Sequence, residues 1–307
     1  MLERNSWLRR AALAVALLLA AGAALAQAPR PASASELRAK YVALRPQLEK
    51  NAFRGPVYIE SVERPRSSRG DVYAVVGSPF TTVSAALGDR LQWCDMLILH
   101  LNTKFCRARG GGGQGPEQLE MRIGKKYDQP VADAPRVVFT WRALPAAADY
   151  MNVQLDAPDG PFDTRDYRIV LEAVPLEGER SFIHLAYSFE FGTASRLALN
   201  LYLATVARSK VGFSTLPGRP GAEPDYVGGV RGMVERNTMR YYLALQAYLG
   251  ALSTPAAGQQ EKRLNDWQTA VERYPQQLHE LERGEYLSMK RKELVRQQKP
   301  VADAPAP

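Results

Sequence analysis

The segment GDVYAVVGSPFTTVSAALGDRLQWCD, residues 70–95, changes from a strand pattern to a helix pattern within a few residues. Its first part, 71–76, is rich in β-branched and aromatic residues and predicts a strand. Ser78 and Pro79 then match the start of a helix, because serine caps a helix N-terminus and proline fits the first helical position. Apolar residues recur behind them on one side of that helix: Val83, Leu87 and Trp93. The segment therefore predicts a strand that leads directly into a helix.

A helix and a strand precede this segment, and a run of strands follows it. Helical spacing of apolar residues over 35–50 predicts the helix, and 57–63 reads as the strand. In LILHL, residues 97–101, leucine recurs at every second position, which predicts a strand continuing to Cys106. Further strands are predicted at 119–123, 137–142, 151–155, 167–174 and 182–191. Short turn-rich connectors and the lack of alternating strands and helices indicate an antiparallel meander in an α+β fold.

The chain beyond Gly192 has the pattern of helices. The stretch TASRLALNLYLATVARSK, residues 193–210, predicts one helix, and a Gly/Pro-rich loop follows at 216–225. A long helix with an apolar face is predicted at 230–252. Residues 253–299 predict a helical C-terminal extension, and the Pro/Ala-rich residues 300–307 predict a disordered tail.

This order of elements resembles the helix-grip fold of the START and polyketide-cyclase (SRPBCC) superfamily, over about residues 55–252. The resemblance lies in residues 70–95 and in the helix VRGMVERNTMRYYLALQAYL, residues 230–249. A strand followed by P-x-x-x-V-x-x-x-L and a nearby tryptophan is a common opening in the family, and Pro79, Val83, Leu87 and Trp93 fit it. The resemblance implies a START-like domain at 35–252, in which a curved antiparallel sheet wraps around the long helix and encloses an apolar cavity.

The first 26 residues have the layout of a secretory signal peptide. A basic start that ends at Arg9 and Arg10 is followed by an uncharged apolar run, 11–26, and by the small-x-small sequence ALA before Gln27. The run is shorter than the ~20 apolar residues that a membrane-spanning helix needs, although an uncleaved anchor is the alternative. We therefore predict a cleaved signal peptide 1–26, a periplasmic or secreted protein, and a disordered Ala/Pro-rich linker at 27–34.

Both cysteines of the chain lie in LQWCDMLILHLNTKFC, residues 91–106. An exported pair tends to oxidise, so a disulfide between Cys94 and Cys106 is predicted. Two buried thiols, or metal or redox chemistry, are the alternatives; the spacing is not C-x-x-C, and these cysteines with His100 do not supply four zinc ligands. Because a disulfide holds the two Cα atoms ~4.4–6.8 Å apart, a turn is also predicted near Asn102.

The charge of the chain is basic but spread out. It carries 40 Lys and Arg against 32 Asp and Glu, a formal net charge of +8. The basic residues form no block of the kind found in nucleic-acid-binding arms, so no nucleic acid partner is expected. A well-solvated surface explains this pattern, and peripheral contact with an anionic membrane surface is the alternative.

The sequence carries no recognisable catalytic set. It has three histidines, no G-x-S-x-G motif, and cysteines that are predicted to be paired. No catalytic residue, metal ligand or cofactor is therefore predicted. The resemblance, the aromatic strands and the predicted export favour a protein that binds a lipid or another hydrophobic small molecule. Candidate cavity residues are Phe139, Trp141, Leu171, His184, Phe189, Glu235, Arg236, Tyr241 and Leu245.

Two alternatives stay open. An enzyme of the cyclase or hydrolase type on the same fold would place Glu235, Arg236 or His184 at the pocket. A non-catalytic envelope assembly protein would use residues 264–294 to bind a protein partner. That segment mixes charges with Trp267 and other apolar residues, which would otherwise dock on the chain's own domain.

Overall fold

The computed structural model describes residues 33–113, 115–144, 147–205, 208–217 and 223–298. The predicted signal peptide and the tail 300–307 lie outside the described residues, as does most of the linker 27–34. The described chain begins with helix α1 (Ala34–Glu49). Among the described helices, none combines the length and hydropathy that crossing a bilayer requires.

Within the described ranges, eight strands form one antiparallel sheet in the order β1-β2-β8-β7-β6-β5-β4-β3. They are β1 (Val57–Arg64), β2 (Ser67–Val76), β3 (Thr103–Arg109), β4 (Gln118–Ile123), β5 (Arg136–Ala143), β6 (Met151–Asp159), β7 (Thr164–Leu176) and β8 (Arg180–Phe191). Seven of these coincide with predicted strands to within a few residues. β2 pairs with β8, the last strand in the sequence, so strands from the beginning and the end of the sheet lie side by side.

The predicted helix after β2 is two helices in the structure, α2 (Phe80–Leu87) and α3 (Arg90–Leu97). The break falls at Gly88 and Asp89, because the Asp89 side chain accepts a hydrogen bond from the backbone N–H of Leu91 at 2.9 Å and so caps a new helix. The indole N–H of Trp93 donates a hydrogen bond to the carbonyl of Leu87 at 2.7 Å and so connects α3 to the end of α2.

The predicted strand over 97–101 is wrong. α3 continues to Leu97, residues 98–102 form turns, and β3 begins only at Thr103. The chain turns where a bend was predicted and brings Cys94 and Cys106 together in the predicted disulfide, with a Cα–Cα distance of 5.2 Å. The alternating leucines do not indicate a strand here, because every residue from 97 to 101 is buried. Their hydrophobicity therefore does not depend on whether they face a sheet.

The long helix α5 (Gly229–Gly250) lies across the concave face of the sheet, after the shorter α4 (Thr193–Thr205). α5 approaches β2 so closely that a Cβ atom on Gly70 would lie 2.5 Å from Oγ1 of Thr238. The opposite, convex face is covered in part by α1, through Leu37, Leu44 and Leu48. A curved antiparallel sheet around a long helix is the helix-grip arrangement that the sequence predicts.

The C-terminal extension contains α6 (Ala256–Val271), α7 (Pro275–Leu278) and α8 (Arg283–Gln297). It packs on the domain: the Trp267 indole donates to the carbonyl of Arg240 at 3.2 Å, and the Tyr286 hydroxyl donates to the carbonyl of Leu99 at 2.9 Å. Trp267, Leu278 and Tyr286 are buried. The apolar side chains that could have bound a protein partner therefore contact this chain's own domain.

A buried ionic cluster holds α8 to the start of β3. The Glu293 carboxylate contacts the Lys104 ammonium at 2.9 Å and the Lys290 ammonium at 2.8 Å, and all three side chains are inaccessible to solvent. Lys290 also donates to the carbonyls of His100 at 2.7 Å and Thr103 at 2.9 Å. The extension thus fixes the turn that follows α3.

Candidate functional site

A cavity of about 540 Å³ opens between the concave face of the sheet, α4, α5 and the turn after α3. Its volume lies within the ~300–1,000 Å³ range of small-molecule sites. Most of its wall is apolar or aromatic, with side chains from the sheet and from both helices. The main apolar contributions come from Val137, Phe139, Tyr187, Phe189, Leu199 and Tyr241.

Four of the nine candidate residues line this cavity: Phe139, Phe189, Arg236 and Tyr241. The other five, Trp141, Leu171, His184, Glu235 and Leu245, are not among its lining residues. Trp141 shares a strand face with Phe139 but packs edge-on against Trp93, with ring centroids 5.1 Å apart. Leu171 and Leu245 are buried in the main hydrophobic core.

His184 lies on the convex face of the sheet, away from the cavity. Its Nδ1 is 2.7 Å from Glu172, its Nε2 is 2.7 Å from Asp71, and its ring stacks on Tyr73. Burial alone would lower the pKa of His184, but the hydrogen bonds to Asp71 and Glu172 raise it. Burial opposes ionisation of Asp71 as well, yet hydrogen bonds from His184 and Arg69 lower the pKa of Asp71 to about 2. His184 is thus the centre of an ionic network between strands.

Glu235 is fully buried at the N-terminal half of α5 and is bonded on both oxygens. Oε2 accepts hydrogen bonds from the backbone N–H groups of Phe213 at 2.6 Å and Ser214 at 2.8 Å, while Oε1 accepts one from the Ser61 hydroxyl at 2.5 Å. The carboxylate therefore joins α5 to β1 and to the segment before the helix. Of the three residues that the enzyme hypothesis would use, only Arg236 lines the cavity.

Three charged residues that were not among the candidates line the cavity: Lys126, Arg240 and Glu280. The Glu280 carboxylate contacts the Lys126 ammonium at 2.7 Å and the Arg240 guanidinium at 2.9 Å, and the Lys210 ammonium lies 3.9 Å away. Burial would raise the pKa of Glu280, but these cations lower it, so the carboxylate is ionised. Arg236 and Arg240 are four residues apart on α5, a spacing that places both on one helix face.

His100 also lines the cavity, and only 4% of it is exposed. Its ring stacks on Tyr241 with centroids 4.8 Å apart, and its Nδ1 accepts a hydrogen bond from the backbone N–H of Asn102 at 3.2 Å. Burial, helped by Arg240 and nearby lysines, holds the pKa of His100 well below its usual value. The imidazole is therefore neutral, and its proton lies on Nε2, because Nδ1 acts as an acceptor.

One exposed apolar side chain lines the cavity, and two more lie on α4, the helix whose Ser195 and Leu199 also line it. Phe162 lines the cavity and is 86% exposed, and Leu197 and Leu201 on the neighbouring α4 are 72% and 64% exposed. Phe162 adopts a left-handed backbone conformation with φ of 59°, which bulky residues rarely do. In the described residues, no three His, Cys, Asp or Glu side chains lie close enough together to hold a metal ion.

No family model matches the sequence, and no curated protein matches it. Solved structures similar to the chain include a protein from Thermobifida fusca, with 16% identity over 64% of this chain and 95% of that one, at a TM-score of 0.32. Norcoclaurine synthase from Thalictrum flavum has 11% identity over 50% of this chain and 88% of that one, at a TM-score of 0.32. An aromatase/cyclase from Streptomyces sp. R1128 has 17% identity over 44% of this chain and 71% of that one, at a TM-score of 0.29. At TM-scores this low, the fold assignment rests on the order and pairing of the chain's own strands and helices.

Proposed function

We propose that this protein binds a hydrophobic small molecule in the cavity beneath α5. The observation that carries the proposal is the cavity itself, about 540 Å³ in volume and walled mainly by aromatic and aliphatic side chains. Small-molecule sites are typically concave, of this volume, and lined mainly by hydrophobic and aromatic side chains. Water would fill an open cleft of this size poorly where its wall is apolar, so a hydrophobic small molecule is the occupant that its size and lining favour.

A matched pair of variants tests this proposal. Val137 lies on β5, lines the cavity and is buried, whereas Val62 on β1 is exposed on the convex face. Val137→Trp should fill part of the cavity and weaken binding of a neutral, apolar fluorescent probe such as Nile red. Val62→Trp adds the same side chain outside the cavity and should leave binding unchanged.

Folding of each variant is checked by its melting temperature. If Val137→Trp unfolds, Leu199→Trp on the half-buried side of α4 narrows the same cavity from the helix side. Equal probe binding by the wild type and by every folded cavity-filling variant would contradict the proposal.

We further infer that the protein acts outside the cytoplasm. The signal-peptide layout of the first 26 residues supports this, and so does the disulfide between Cys94 and Cys106, because cytoplasmic thiols are kept reduced. Fractionation of the producing cells, with mass measurement of the purified chain, tests the inference. The chain in the exported fraction should begin at Gln27. A full-length chain confined to the cytoplasm would contradict the inference.

The ligand that we propose is a lipid or a molecule like it, taken up at a membrane surface. The support is the exposed Phe162 in the cavity wall, with Leu197 and Leu201 exposed on α4, in a chain of net positive charge. Co-sedimentation with vesicles of anionic and of neutral lipid tests the contact. Phe162→Ser should reduce binding to anionic vesicles, and unchanged sedimentation of this variant would count against membrane uptake.

A further inference from the structure

We propose that the ligand of this cavity carries an anionic head group, such as a carboxylate or a phosphate monoester, on an apolar chain. The proposal rests on the proposed function, because it specifies which class of hydrophobic molecule the cavity takes. Three observations carry it: the charges in the cavity wall, a buried donor without a partner, and the fixed positions of both.

The described lining residues contain three cations, Lys126, Arg236 and Arg240, and one carboxylate, Glu280. That carboxylate is shared between Lys126 and Arg240, at 2.7 and 2.9 Å, and a further lysine lies 3.9 Å away. One negative charge therefore faces several positive ones in a wall that is otherwise mainly apolar. A bound anion is attracted by the cations of this wall, and the attraction is stronger in a partly buried site than in water.

His100 supplies a neutral donor beside these cations. Its Nδ1 is occupied by the backbone N–H of Asn102, so its proton lies on Nε2. In the described part of the chain, Nε2 is buried and has no hydrogen-bond partner. A buried donor left unpaired costs about 1–3 kcal/mol. An acceptor oxygen on the ligand would satisfy it, and an anionic head group offers such an oxygen.

These groups come from separate elements, and packing holds them in place. The Arg240 guanidinium donates to the Leu278 carbonyl at 3.5 Å and the Asn237 side-chain oxygen at 3.3 Å, besides its contact with Glu280. The backbone carbonyl of His100 accepts from the buried Lys290 at 2.7 Å. A site whose polar groups are positioned in advance loses little entropy on binding, so it suits recognition of a head group.

The test compares probes that share a ten-carbon chain. Decanoate and decyl phosphate carry an anion, 1-decanol carries a neutral hydroxyl, and acetate and inorganic phosphate carry the anion without the chain. Calorimetric or competition titrations against Nile red should show decanoate or decyl phosphate binding at least about tenfold more tightly than 1-decanol, the factor expected for a single charge-assisted hydrogen bond.

Two adjacent lysines provide a matched pair of variants. Lys126 lines the cavity and contacts Glu280, whereas its neighbour Lys125 is exposed beside Tyr127. Lys126→Met should weaken decanoate binding about tenfold and leave 1-decanol binding unchanged. Lys125→Met removes the same charge from the surface and should change neither.

Each remaining outcome has one meaning. Equal binding of decanoate, decyl phosphate and 1-decanol would overturn the head-group proposal while leaving the proposed function intact. Binding of acetate or inorganic phosphate as tight as that of the long-chain anions would overturn it too, because the chain would contribute nothing. Equal losses of decanoate affinity in Lys126→Met and Lys125→Met would mean that only the overall charge of the protein matters, and would also overturn the head-group proposal. Failure of every ten-carbon probe and of Nile red would instead remove the proposed function.

Discussion

The buried cluster of Lys104, Lys290 and Glu293 offers a direct measure of how firmly the C-terminal extension is fixed. Replacing Glu293 by glutamine keeps the shape of the side chain but removes the only carboxylate that contacts the two ammonium groups at 2.9 and 2.8 Å in the described chain. Removing one partner of a fully buried ion pair leaves charge uncompensated in the interior. The free energy of unfolding should therefore fall by about 3–5 kcal/mol.

The loss should depend on pH in a defined direction. Burial is the main cause that lowers the pKa of Lys290 to about 8, and the Glu293 carboxylate opposes this shift. The folded state therefore binds fewer protons than the unfolded state above about pH 8, and stability rises with pH there. Without the carboxylate the pKa of Lys290 falls further, so a neutral lysine forms at lower pH. The deficit of Glu293→Gln should thus be largest near about pH 6 and smaller near about pH 9.

Urea unfolding followed by tryptophan fluorescence, with the disulfide kept oxidised, measures both effects. Glu261→Gln is the matched control, because Glu261 on α6 pairs with Arg291 on α8 but its side chain is 50% exposed. An exposed pair of this kind contributes about 0–1 kcal/mol. A loss in Glu293→Gln no larger than that in the control, or a deficit that grows with pH, would refute the reasoning.

Three further predictions concern the sheet and its contacts. His184→Gln should lower the free energy of unfolding most between about pH 4 and pH 6.5, because its carboxylate partners must be ionised and its imidazole protonated; a pH-independent deficit in urea titrations would contradict this. Breaking the disulfide with the double variant Cys94→Ala/Cys106→Ala should cost about 3 kcal/mol, measured as a lower urea midpoint, and an unchanged midpoint would argue against it. Gly70→Ala should cost about 1–3 kcal/mol because its Cβ would meet the Thr238 hydroxyl; adding Thr238→Ala should restore part of the melting temperature, and an absence of any recovery would place the strain elsewhere.

Most strands and helices could be predicted from local periodicity, and the exceptions have physical causes. Gly88 and Asp89 end one helix and cap the next, but one apolar spacing pattern runs through both helices. Residues 97–101 alternate like a strand, yet they are the end of a helix followed by turns. Since all five are buried, their hydrophobicity carries no information about which of these they form.

Residues of the cavity could be predicted only where the position of a residue on one face of a strand or helix decides its surroundings. Phe139 and Phe189 point to the cavity because alternate residues of β5 and β8 face α5. The same alternation places His184 on the other face, but α1 covers that face too, so burial on both sides hid the distinction. Periodicity gives which residues share a face and cannot give which face borders the cavity.

The charged part of the cavity depends on contacts between distant segments. Glu280 meets Lys126 and Arg240 only because the extension folds back over α5, and no local pattern encodes that contact. In the sequence, His100 is a single histidine among apolar residues, and such a histidine usually has a structural role. Its position at the cavity follows from the turn after α3, which the disulfide and Lys290 hold in place.

The measurement that tests the central claim most directly is the analysis of what the cavity contains in the protein purified from the organism that makes it. Organic extraction followed by mass spectrometry should recover one hydrophobic molecule in roughly equimolar amount from the wild type, since a cavity of about 540 Å³ suits a single small ligand. The same extraction of Val137→Trp should recover much less, and that of Val62→Trp should match the wild type. A wild-type protein that repeatedly yields no such molecule, and that takes up no apolar probe afterwards, would contradict the account.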